Sequence, residues 1–549
     1  MTCTAMFKAS NLHFDYVIVG GGSAGCVLAN RLSECGNYRV ALIEAGGNGQ
    51  SFFSDMPGGV IRFMHSRKFN WLFRSSDPAP LRGGKGFYTP RGKGLGGSSM
   101  INAMIYTRGL PSDYDHWAAM SSADWAWHNI LPRFKKLENN QRGANNFHGA
   151  EGPLHVSDVP THFAAARLFV DAGVAAGIPY NADFNGETLE GVGPFQFTIH
   201  NNQRWSVRKA FLQPALARKN LTVLTNSLVE RVVFEHHGHR PKACGVQFRH
   251  KNRSYIATAR REVILSGGAI NSPQLLMLSG VGPASHLAKF GIPLVADSPQ
   301  VGQNLQEHVD VMVHYKNRKK DGISLAPIGL AKMTAALWQY AFKKRGALAV
   351  PPAETGGFIR SSEQVKEPDL QLHFVSTRFN DSGWDIWPAL TNGYACHVCV
   401  LRPQARGELK LNSTDAVDKP CFTYNFLDNE ADRTALLNGV KQVRNIMAQA
   451  PLAEHNGGEI WPGPTANDDE LMQKIEQNLG LIYHPTSTCR MGNDASAVVD
   501  PQLRVKGVES LRVIDASIMP TVLSGNTNAP TMVIADVGAD FMLADAQQH

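Results

Sequence analysis

The chain has 549 residues, of which 43% are hydrophobic and 18% are charged. This is the composition of a soluble globular protein, and the length predicts more than one domain or one large composite domain. The net charge of +7 is small for this length and no long lysine or arginine block occurs, which argues against a nucleic-acid partner. No run of about 18 apolar residues is present, so no membrane-spanning helix is predicted.

The amino-terminal segment and the cysteines bear on location. Residues 1–14 contain no charged stretch followed by a long apolar core, so no export signal is predicted. The eight cysteines are scattered, which favours reduced thiols in a cytoplasmic protein. Cys396 and Cys399 are spaced like a metal-binding pair, but the alternating segment around them predicts a strand, where residues three apart point to opposite faces. No metal site is expected.

The first predicted elements form a nucleotide cradle. Asp15–Val19 is a short β-branched run typical of a buried parallel strand. Gly20, Gly22 and Gly25 follow with the G-x-G-x-x-G spacing. In that motif the glycines permit a tight turn, close approach of the backbone to a pyrophosphate, and close packing of helix on strand. Cys26–Ser33 is predicted to be the helix, whose amino-terminal amides and dipole favour phosphate.

A second strand and an acid complete this unit. Arg39–Ile43 is predicted to be another buried strand, and Glu44 comes 19 residues after Gly25. This distance is close to the ~20 residues expected for an acid that binds a ribose hydroxyl. The acid disfavours NADP, whose 2′-phosphate it would repel, and it leaves NAD and FAD open.

A glycine-rich stretch, Thr89–Gly109, is the next informative segment. A backbone of this kind can lie flat against a large planar ligand and offer its amides to it. A flexible surface loop is the alternative, but a loop would expose the apolar side chains of Leu95, Met100, Ile101, Met104 and Ile105. The stretch therefore predicts part of a ligand site.

Four segments share a family likeness. They are Gly92–Asn102, Gly268–Pro273, Tyr483–Gly492 and Leu511–Asp536. In this order they resemble the signatures of the glucose–methanol–choline (GMC) flavoprotein oxidoreductases. With the cradle, the matches extend from residue 15 to residue 536. Within the family the chain is most similar to bacterial alcohol dehydrogenases and choline-dehydrogenase-like proteins.

The resemblance implies that the nucleotide is FAD, with its AMP half on Gly20–Gly25 and Glu44 and its isoalloxazine near Gly96–Asn102. Some relatives attach FAD covalently through a histidine just before the asparagine of the first signature. Ile101 occupies that position here, so non-covalent FAD is expected. The cofactor-binding residues implied in this way are Gly20, Gly22, Ser23, Ala24, Gly25, Glu44, Ala45, Gly92, Leu95, Gly96, Ser99, Asn102, Ala103, Met104, Val229, Gly267, Asp515, Ala516, Asn526, Thr527 and Thr531.

The motif order predicts an α/β fold (α+β overall) with two discontinuous domains. A Rossmann-like FAD-binding domain is expected over residues 1–160, 200–312 and 470–549. A substrate-binding domain, built on an antiparallel sheet backed by helices, is expected over residues 161–199 and 313–469. Within it, the sequence pattern predicts strands over residues 370–375, 394–402 and 407–411 and a helix over residues 431–449.

Oxidation of an alcohol requires a base for the hydroxyl proton, and a histidine that is partly neutral at cellular pH suits this role. His484 opens the segment HPTSTCRMG, and in the family this residue assists proton removal. The resemblance assigns the partner that orients the substrate oxygen to Asn526. Asn528, two residues further along, is the alternative, because the alignment of so short a motif can shift by a few positions.

Three other residues have weaker assignments. His308 is expected to pack beside the cofactor domain. Glu354 would attract a cationic alcohol such as choline if it faced the cavity. Trp71 belongs either to the core or to the cavity wall.

The expected function is FAD-dependent oxidation of an alcohol to an aldehyde or ketone, with electrons passed to a quinone-like acceptor. An oxidase that uses O2 and releases H2O2 is the main alternative. An FAD-containing lyase, a nicotinamide dehydrogenase and a non-enzymatic flavin-binding protein are the others. Residues 337–350, LWQYAFKKRGALAV, form either a helix packed on the substrate domain or a peripheral contact with the inner membrane. The alcohol and the oligomeric state stay open.

Overall fold

The structure is a computed structural model. It describes residues 12–547 except 159–161, 236–239, 320–321, 323, 325–326, 352, 380–386 and 466. Most of the amino-terminal segment that bears on an export signal lies outside the described residues. Within the described part, two large sheets form the framework of the molecule.

The nucleotide cradle lies at the centre of the first sheet. His13–Val19 lies between Val40–Ile43 and the long strand Arg253–Leu265 and is parallel to both. Leu221–Leu224 extends the sheet beyond Val40–Ile43, again in parallel. All residues of His13–Val19 except the first are buried, as expected of a parallel strand covered on both faces. Helix Ser23–Ser33 follows directly after the glycine turn.

Arg253–Leu265 joins the parallel part of this sheet to an antiparallel part. Its first half pairs with Lys242–His250, which in turn pairs with Ser227–Glu235. Its second half pairs with His13–Val19 and, on its other side, with Leu511–Val513. This last strand brings the carboxy-terminal motifs beside the cradle, so segments from both ends of the chain reach one site.

The second sheet is antiparallel, as predicted for the substrate domain. Helices Ala164–Ala175 and Glu430–Ala448 pack on it. The predicted α/β fold, with a Rossmann-like part and an antiparallel sheet backed by helices, is therefore confirmed. In spatial order the strands are Asn456–Trp461, Val309–Asn317, Gly393–Val400, Leu370–Val375, Ala353–Ile359 and Gly191–Pro194, with Gly480–Leu481 also paired to Val309–Asn317.

Smaller elements complete the described chain. The strand predicted over residues 407–411 is Glu408–Lys410, but it pairs with Cys421–Thr423 in a separate ribbon. The other helices are Phe52–Asp55, Val60–Met64, Pro111–Met120, Trp127–Leu137, Gln213–Ala215, Gly268–Leu278, Ala284–Lys289, Pro327–Lys343, Ala450–Ala453, Asp468–Gln477 and Asn528–Gln547. The other short strands are Phe73–Arg74, Tyr88–Thr89, Ile105–Tyr106, Glu138–Asn140, Leu154–Asp158, Gln196–Phe197, Ile199–His200, Gln203–Arg204, Val281–Gly282 and Ala296–Asp297.

The division into two domains stays a prediction, and two strands bear on its boundaries. Val309–Asn317 crosses the boundary predicted after residue 312, and Gly480–Leu481, from the predicted FAD segment, pairs with it. Buried side chains of both sheets belong to one continuous hydrophobic core, so the two sheets pack as one unit. Among the described residues, no helix has the length and apolar character needed to cross a membrane.

Candidate active site

A cavity of about 490 Å³ lies at the carboxyl ends of the parallel strands of the first sheet, and its size suits a small-molecule site. Its wall combines the turn after the first strand, the glycine-rich stretch and the carboxy-terminal motifs. Most of the predicted cofactor residues border it: Gly20, Gly22, Ser23, Ala24, Glu44, Ala45, Gly92, Asn102, Ala103, Met104, Val229, Gly267, Asp515, Ala516, Asn526, Thr527 and Thr531.

The first turn presents backbone to the cavity. Gly20 has a φ of +102°, and a Cβ there would lie 2.5 Å from the carbonyl oxygen of Ser266. A Cβ on Gly25 would lie 1.9 Å from the carbonyl oxygen of Gly20, so this glycine permits the close packing of helix on strand. A Cβ on Gly22 would point into open space, with Gly97 Cα nearest at 4.0 Å. The helix that follows has no side-chain cap, which leaves its first amides to a ligand.

Glu44 is buried at the end of the second strand and borders the cavity. Its carboxylate accepts hydrogen bonds from the amides of Gly21 (2.7 Å), Gly46 (2.7 Å) and Gly94 (2.9 Å). Burial raises the pKa of this carboxyl, and the three amides oppose that rise. Since a carboxylate offers about four acceptor positions, roughly one remains for a hydroxyl group of a ligand in the cavity.

Four of the predicted cofactor residues lie behind the cavity wall, namely Gly25, Leu95, Gly96 and Ser99. The Gly96 amide donates to the carbonyl oxygen of Gly21, and the Ser99 hydroxyl donates to the carbonyl oxygen of Gly96 at 2.6 Å. Leu95 and Ser99 are buried. These residues support the backbone that borders the cavity, and their direct contact with a cofactor stays a prediction.

His484 lines the cavity within a tightly held loop. Tyr483, the preceding residue, has a φ of +69°, a left-handed backbone that non-glycine residues rarely adopt. Glu307 Oε1 accepts hydrogen bonds from the backbone amides of His484 (2.6 Å) and His308 (2.9 Å). Arg91 donates to the carbonyl oxygen of Tyr483. The surrounding contacts therefore hold this strained backbone in place.

His308 sets the proton position on His484. Its Nε2 lies 3.1 Å from the carbonyl oxygen of Leu401 and 2.9 Å from that of Leu523, and because carbonyls only accept, Nε2 carries a hydrogen. Burial lowers the pKa of His308 to about 4, so its Nδ1 is an acceptor at neutral pH. This Nδ1 lies 3.0 Å from His484 Nδ1, which must carry the hydrogen between them. Burial also lowers the pKa of His484, which leaves a lone pair on its Nε2.

Asn526 faces this lone pair with its amide NH2 group. Its Oδ1 accepts from the Thr107 hydroxyl (3.2 Å) and from Gln371 Nε2 (3.3 Å). Its Nδ2 lies 3.2 Å from His484 Nε2. The backbone N–H of Asn526 donates to Thr107 Oγ1 at 2.7 Å, which holds this segment in place. An oxygen atom placed against both side chains would accept a hydrogen bond from Asn526 and donate one to His484.

Two questions that the sequence left open have answers in this arrangement. Asn528 Oδ1 accepts a hydrogen bond from the Ser23 hydroxyl at 2.7 Å, so this asparagine holds the start of the first helix. Asn526 is therefore the partner of His484. Trp71 borders the cavity and is part of its wall.

Glu354 does not border the cavity. Its carboxylate accepts hydrogen bonds from the backbone amides of His162 (2.9 Å) and Phe163 (3.2 Å), at the start of helix Ala164–Ala175. Acids at a helix amino terminus satisfy amides that have no partner within the helix. Glu354 therefore stabilises this helix and is not placed to attract a cationic alcohol.

Sequence reasoning missed three residues that contact His484, Asn526 or their backbone. His308 does more than pack beside the cofactor domain, because it contacts His484 directly. Glu307, its neighbour in the chain, holds both histidine backbones. Gln371 contacts Asn526 from the strand Leu370–Val375, which is otherwise mostly apolar. A polar residue in a buried strand needs a hydrogen-bond partner, and this was the sequence signal that could have identified Gln371.

Comparison with known proteins agrees with this geometry. Models of the GMC oxidoreductase family match residues 14–310 and 403–535. The chain belongs to the GMC oxidoreductase family. The resemblance found in the four motifs is therefore confirmed across most of the chain.

Relatives and solved structures cover 96–98% of the chain. An alcohol dehydrogenase (acceptor) of Pseudomonas putida is 43% identical over 534 residues, with 96% of each chain covered. The mitochondrial choline dehydrogenase of Homo sapiens is 42% identical over 540 residues, with 96% of this chain and 89% of that protein covered. A pyridoxine 4-oxidase from Mesorbium loti has a TM-score of 0.87 at 29% identity, covering 97% of this chain and 99% of that chain. A formate oxidase has a TM-score of 0.89 at 25% identity, covering 98% and 99%.

FAD is the cofactor of this family, and the cavity fits it. The open space at Gly22 and the uncapped amides of helix Ser23–Ser33 suit a pyrophosphate. The remaining acceptor position of Glu44 suits a ribose hydroxyl. The cavity continues from these groups to His484, where the glycine-rich stretch forms part of the wall.

The side chain of Ile101 borders the cavity and offers no atom for a covalent bond to a flavin. We therefore expect the purified protein to be yellow and to release its flavin into the supernatant after mild acid or heat. The measurement is the absorbance spectrum of the supernatant and of the precipitated protein. Colour that stays with the precipitate would contradict non-covalent binding.

Proposed function

We propose that the protein oxidises an alcohol to an aldehyde or ketone, with His484 as the base and FAD as the first electron acceptor. The observation that carries the proposal is the pairing of His484 Nε2, as a lone-pair acceptor, with the Asn526 amide, 3.2 Å away on the cavity wall. The Pseudomonas putida and Homo sapiens relatives, named as alcohol and choline dehydrogenases, support the same class of donor.

The two side chains have different tasks on the hydroxyl group. Asn526 Nδ2 donates to the hydroxyl oxygen and orients it, and an amide does not compete as a base. His484 Nε2 accepts the hydroxyl proton. The resulting imidazolium keeps its Nδ1 hydrogen bond to His308, which stabilises the positive charge without taking the proton. When bound, FAD supplies the acceptor for the hydride that leaves the alcohol carbon.

An anaerobic screen tests this proposal. Primary, aromatic and amino alcohols are mixed with the purified holoprotein, and flavin absorbance is followed. Bleaching by at least one alcohol is expected. A flavin that no alcohol bleaches would contradict the proposal and favour a lyase or a flavin-binding protein.

The acceptor and the location are further parts of the proposal. We infer that a quinone-like acceptor takes the electrons and that the protein acts from the cytoplasm at the periphery of the inner membrane. The relative named as an acceptor-type alcohol dehydrogenase, at 43% identity, supports an acceptor other than oxygen, whereas relatives at 40% identity named as oxygen-dependent choline dehydrogenases and the two oxidases, at 29% and 25%, support oxygen. The oxidase that uses O2 remains the second candidate function, because these oxidases share the fold.

Rapid mixing distinguishes the two candidates. The alcohol-reduced holoprotein is mixed with O2 and, separately, with a soluble quinone, and the return of flavin absorbance is timed. Faster re-oxidation by the quinone is expected. Stoichiometric peroxide formed at the rate of turnover would identify an oxidase.

Replacing Asn526 with alanine removes the donor that orients the hydroxyl oxygen. Flavin reduction should slow by roughly 10²-fold, the lower range for loss of one donor to a developing oxyanion. Asn528→Ala is the matched control, because Asn528 contacts Ser23 and not His484. We measure the anaerobic reduction rate of both variants at equal flavin content. A larger effect for Asn528→Ala would reverse the assignment.

Gln371 is proposed as a positioning residue for Asn526. Gln371→Met keeps a similar side-chain size but removes one of the two donors to Asn526 Oδ1. We expect turnover to fall about five- to tenfold, the effect of one lost hydrogen bond, with unchanged flavin content. Thr107→Ser keeps the other donor and should retain the parent rate. A Gln371→Met protein with the parent turnover number would remove this residue from the site.

A further inference from the structure

Helix Pro327–Lys343 has an apolar surface on its outer side. Tyr340 on its inner side is buried, and Met333 packs partly buried beside it. On the outer side, Trp338 is 61% exposed and Phe342 is 73% exposed. These two residues are four apart, and their ring centroids are 5.2 Å apart, so they form one aromatic surface on the helix. An amphipathic surface helix usually turns its large apolar side chains toward the core, whereas this helix also exposes Trp338 and Phe342.

Neighbouring residues enlarge this surface. Phe52 is 44% exposed and packs edge-on against Tyr340 with ring centroids 6.1 Å apart. We call the group the aromatic face; its residues are Phe52, Leu337, Trp338 and Phe342, all exposed. A cluster of exposed apolar side chains of this kind marks an interaction surface.

Cations border the aromatic face. Residues 327–350 contain Lys332, Lys343, Lys344 and Arg345 and no aspartate or glutamate. Lys343 and Arg345 are exposed. Lys344 Nζ lies 4.9 Å from the ring centroid of Phe52, so positive charge and aromatic surface meet directly. Aromatic side chains beside cations suit the surface of a bilayer that contains anionic lipids.

The aromatic face also adjoins the cavity. Ile61, which is exposed, borders the cavity, and so does Met333 on the inner side of the helix. The cavity therefore reaches the exposed surface at Ile61 and the inner side of this helix at Met333. An apolar molecule that leaves a lipid phase at this face would enter the cavity without crossing water.

We propose that the aromatic face docks the protein onto an anionic phospholipid bilayer, with the cavity opening toward the lipid. Trp338 and Phe342 would enter the interface between headgroups and acyl chains, and the cations would bind the lipid phosphates. The docking deepens the proposed function, because a lipid-soluble acceptor would reach the cavity from the bilayer. The binding itself does not depend on the alcohol chemistry.

Vesicle sedimentation tests the proposal on the full-length holoprotein. Vesicles of phosphatidylcholine alone are compared with vesicles that also contain phosphatidylglycerol. The double variant Trp338→Ser/Phe342→Ser is compared with Leu216→Ser/Leu294→Ser, which removes two exposed leucines outside the aromatic face. We expect the parent and the control to sediment with the anionic vesicles. The aromatic-face variant should bind these vesicles at least about tenfold more weakly than the parent, because it loses two inserted side chains.

Turnover with a soluble dye should be equal in all three proteins, because neither aromatic residue borders the cavity. Unchanged vesicle binding by the aromatic-face variant, or no binding by the parent, would overturn the proposal. A parent dimer that becomes a monomer in the variant, by sedimentation velocity, would show that a second copy covers the face. Vesicle binding without flavin bleaching by any alcohol would instead leave docking standing and contradict the proposed function.

Discussion

Replacing His484 with alanine should slow flavin reduction by roughly 10²–10⁴-fold, the usual contribution of a positioned acid–base group. The flavin should stay bound, because the substitution leaves the cradle around Gly22 and Glu44 intact. We measure the anaerobic reduction rate by rapid mixing and the flavin content from the absorbance spectrum. His286→Ala, which alters a histidine that does not border the cavity, is the control. Near-normal reduction by His484→Ala would exclude this residue as the base.

The pH dependence of the parent protein tests the same assignment. Burial, with His308 and Arg91 nearby, lowers the pKa of His484 well below its usual value of 6.5. A base acts in its unprotonated form, so the reduction rate should rise as pH increases through this lowered pKa. Above it, the rate should stay level through neutral pH. A rise that begins only above neutral pH would show that another group with a higher pKa is the base.

Replacing Gly22 with valine should give a folded but pale protein, with most of the flavin lost. Because a Cβ at Gly22 contacts no protein atom closer than 4.0 Å, the new side chain fits the fold and fills the cavity. It would occupy the space that a pyrophosphate needs beside the helix amides. The measurement is flavin content per protein chain, together with circular dichroism as a check on folding.

A matched glycine provides the control. Gly47→Val also adds a side chain with room, since the nearest atom to a Cβ there is Asn226 Oδ1 at 3.7 Å, but Gly47 does not border the cavity. This variant should keep its flavin and its colour. Full flavin content in a folded Gly22→Val protein would mean that the pyrophosphate does not lie at this turn.

Local sequence patterns were sufficient to predict the nucleotide cradle. The β-branched run, the glycine spacing and the acid specify a strand, a turn, a helix and a second strand through contacts between near neighbours. The structure has these elements at His13–Val19, Ser23–Ser33 and Val40–Ile43. The helix begins three residues earlier than predicted, because Ser23, Ala24 and Gly25 already adopt helical backbone. Polar and small residues at a helix start give little periodic signal.

The sequence by itself determined the family, the cofactor and the identity of His484 and Asn526 as candidates, because each lies in a short motif whose residues are adjacent in the chain. The tertiary structure decided which atoms act. His308 directly precedes the strand Val309–Asn317 of the second sheet, and Gln371 lies in the strand Leu370–Val375 of the same sheet. They are 176 and 155 residues from His484 and Asn526 respectively. Only the packing of that sheet against the carboxy-terminal loops brings them into contact, and those contacts place the hydrogen on His484 Nδ1 and turn the Asn526 NH2 toward Nε2. No local pattern encodes such pairings, since a hydrogen bond between distant segments depends on the relative position of two sheets.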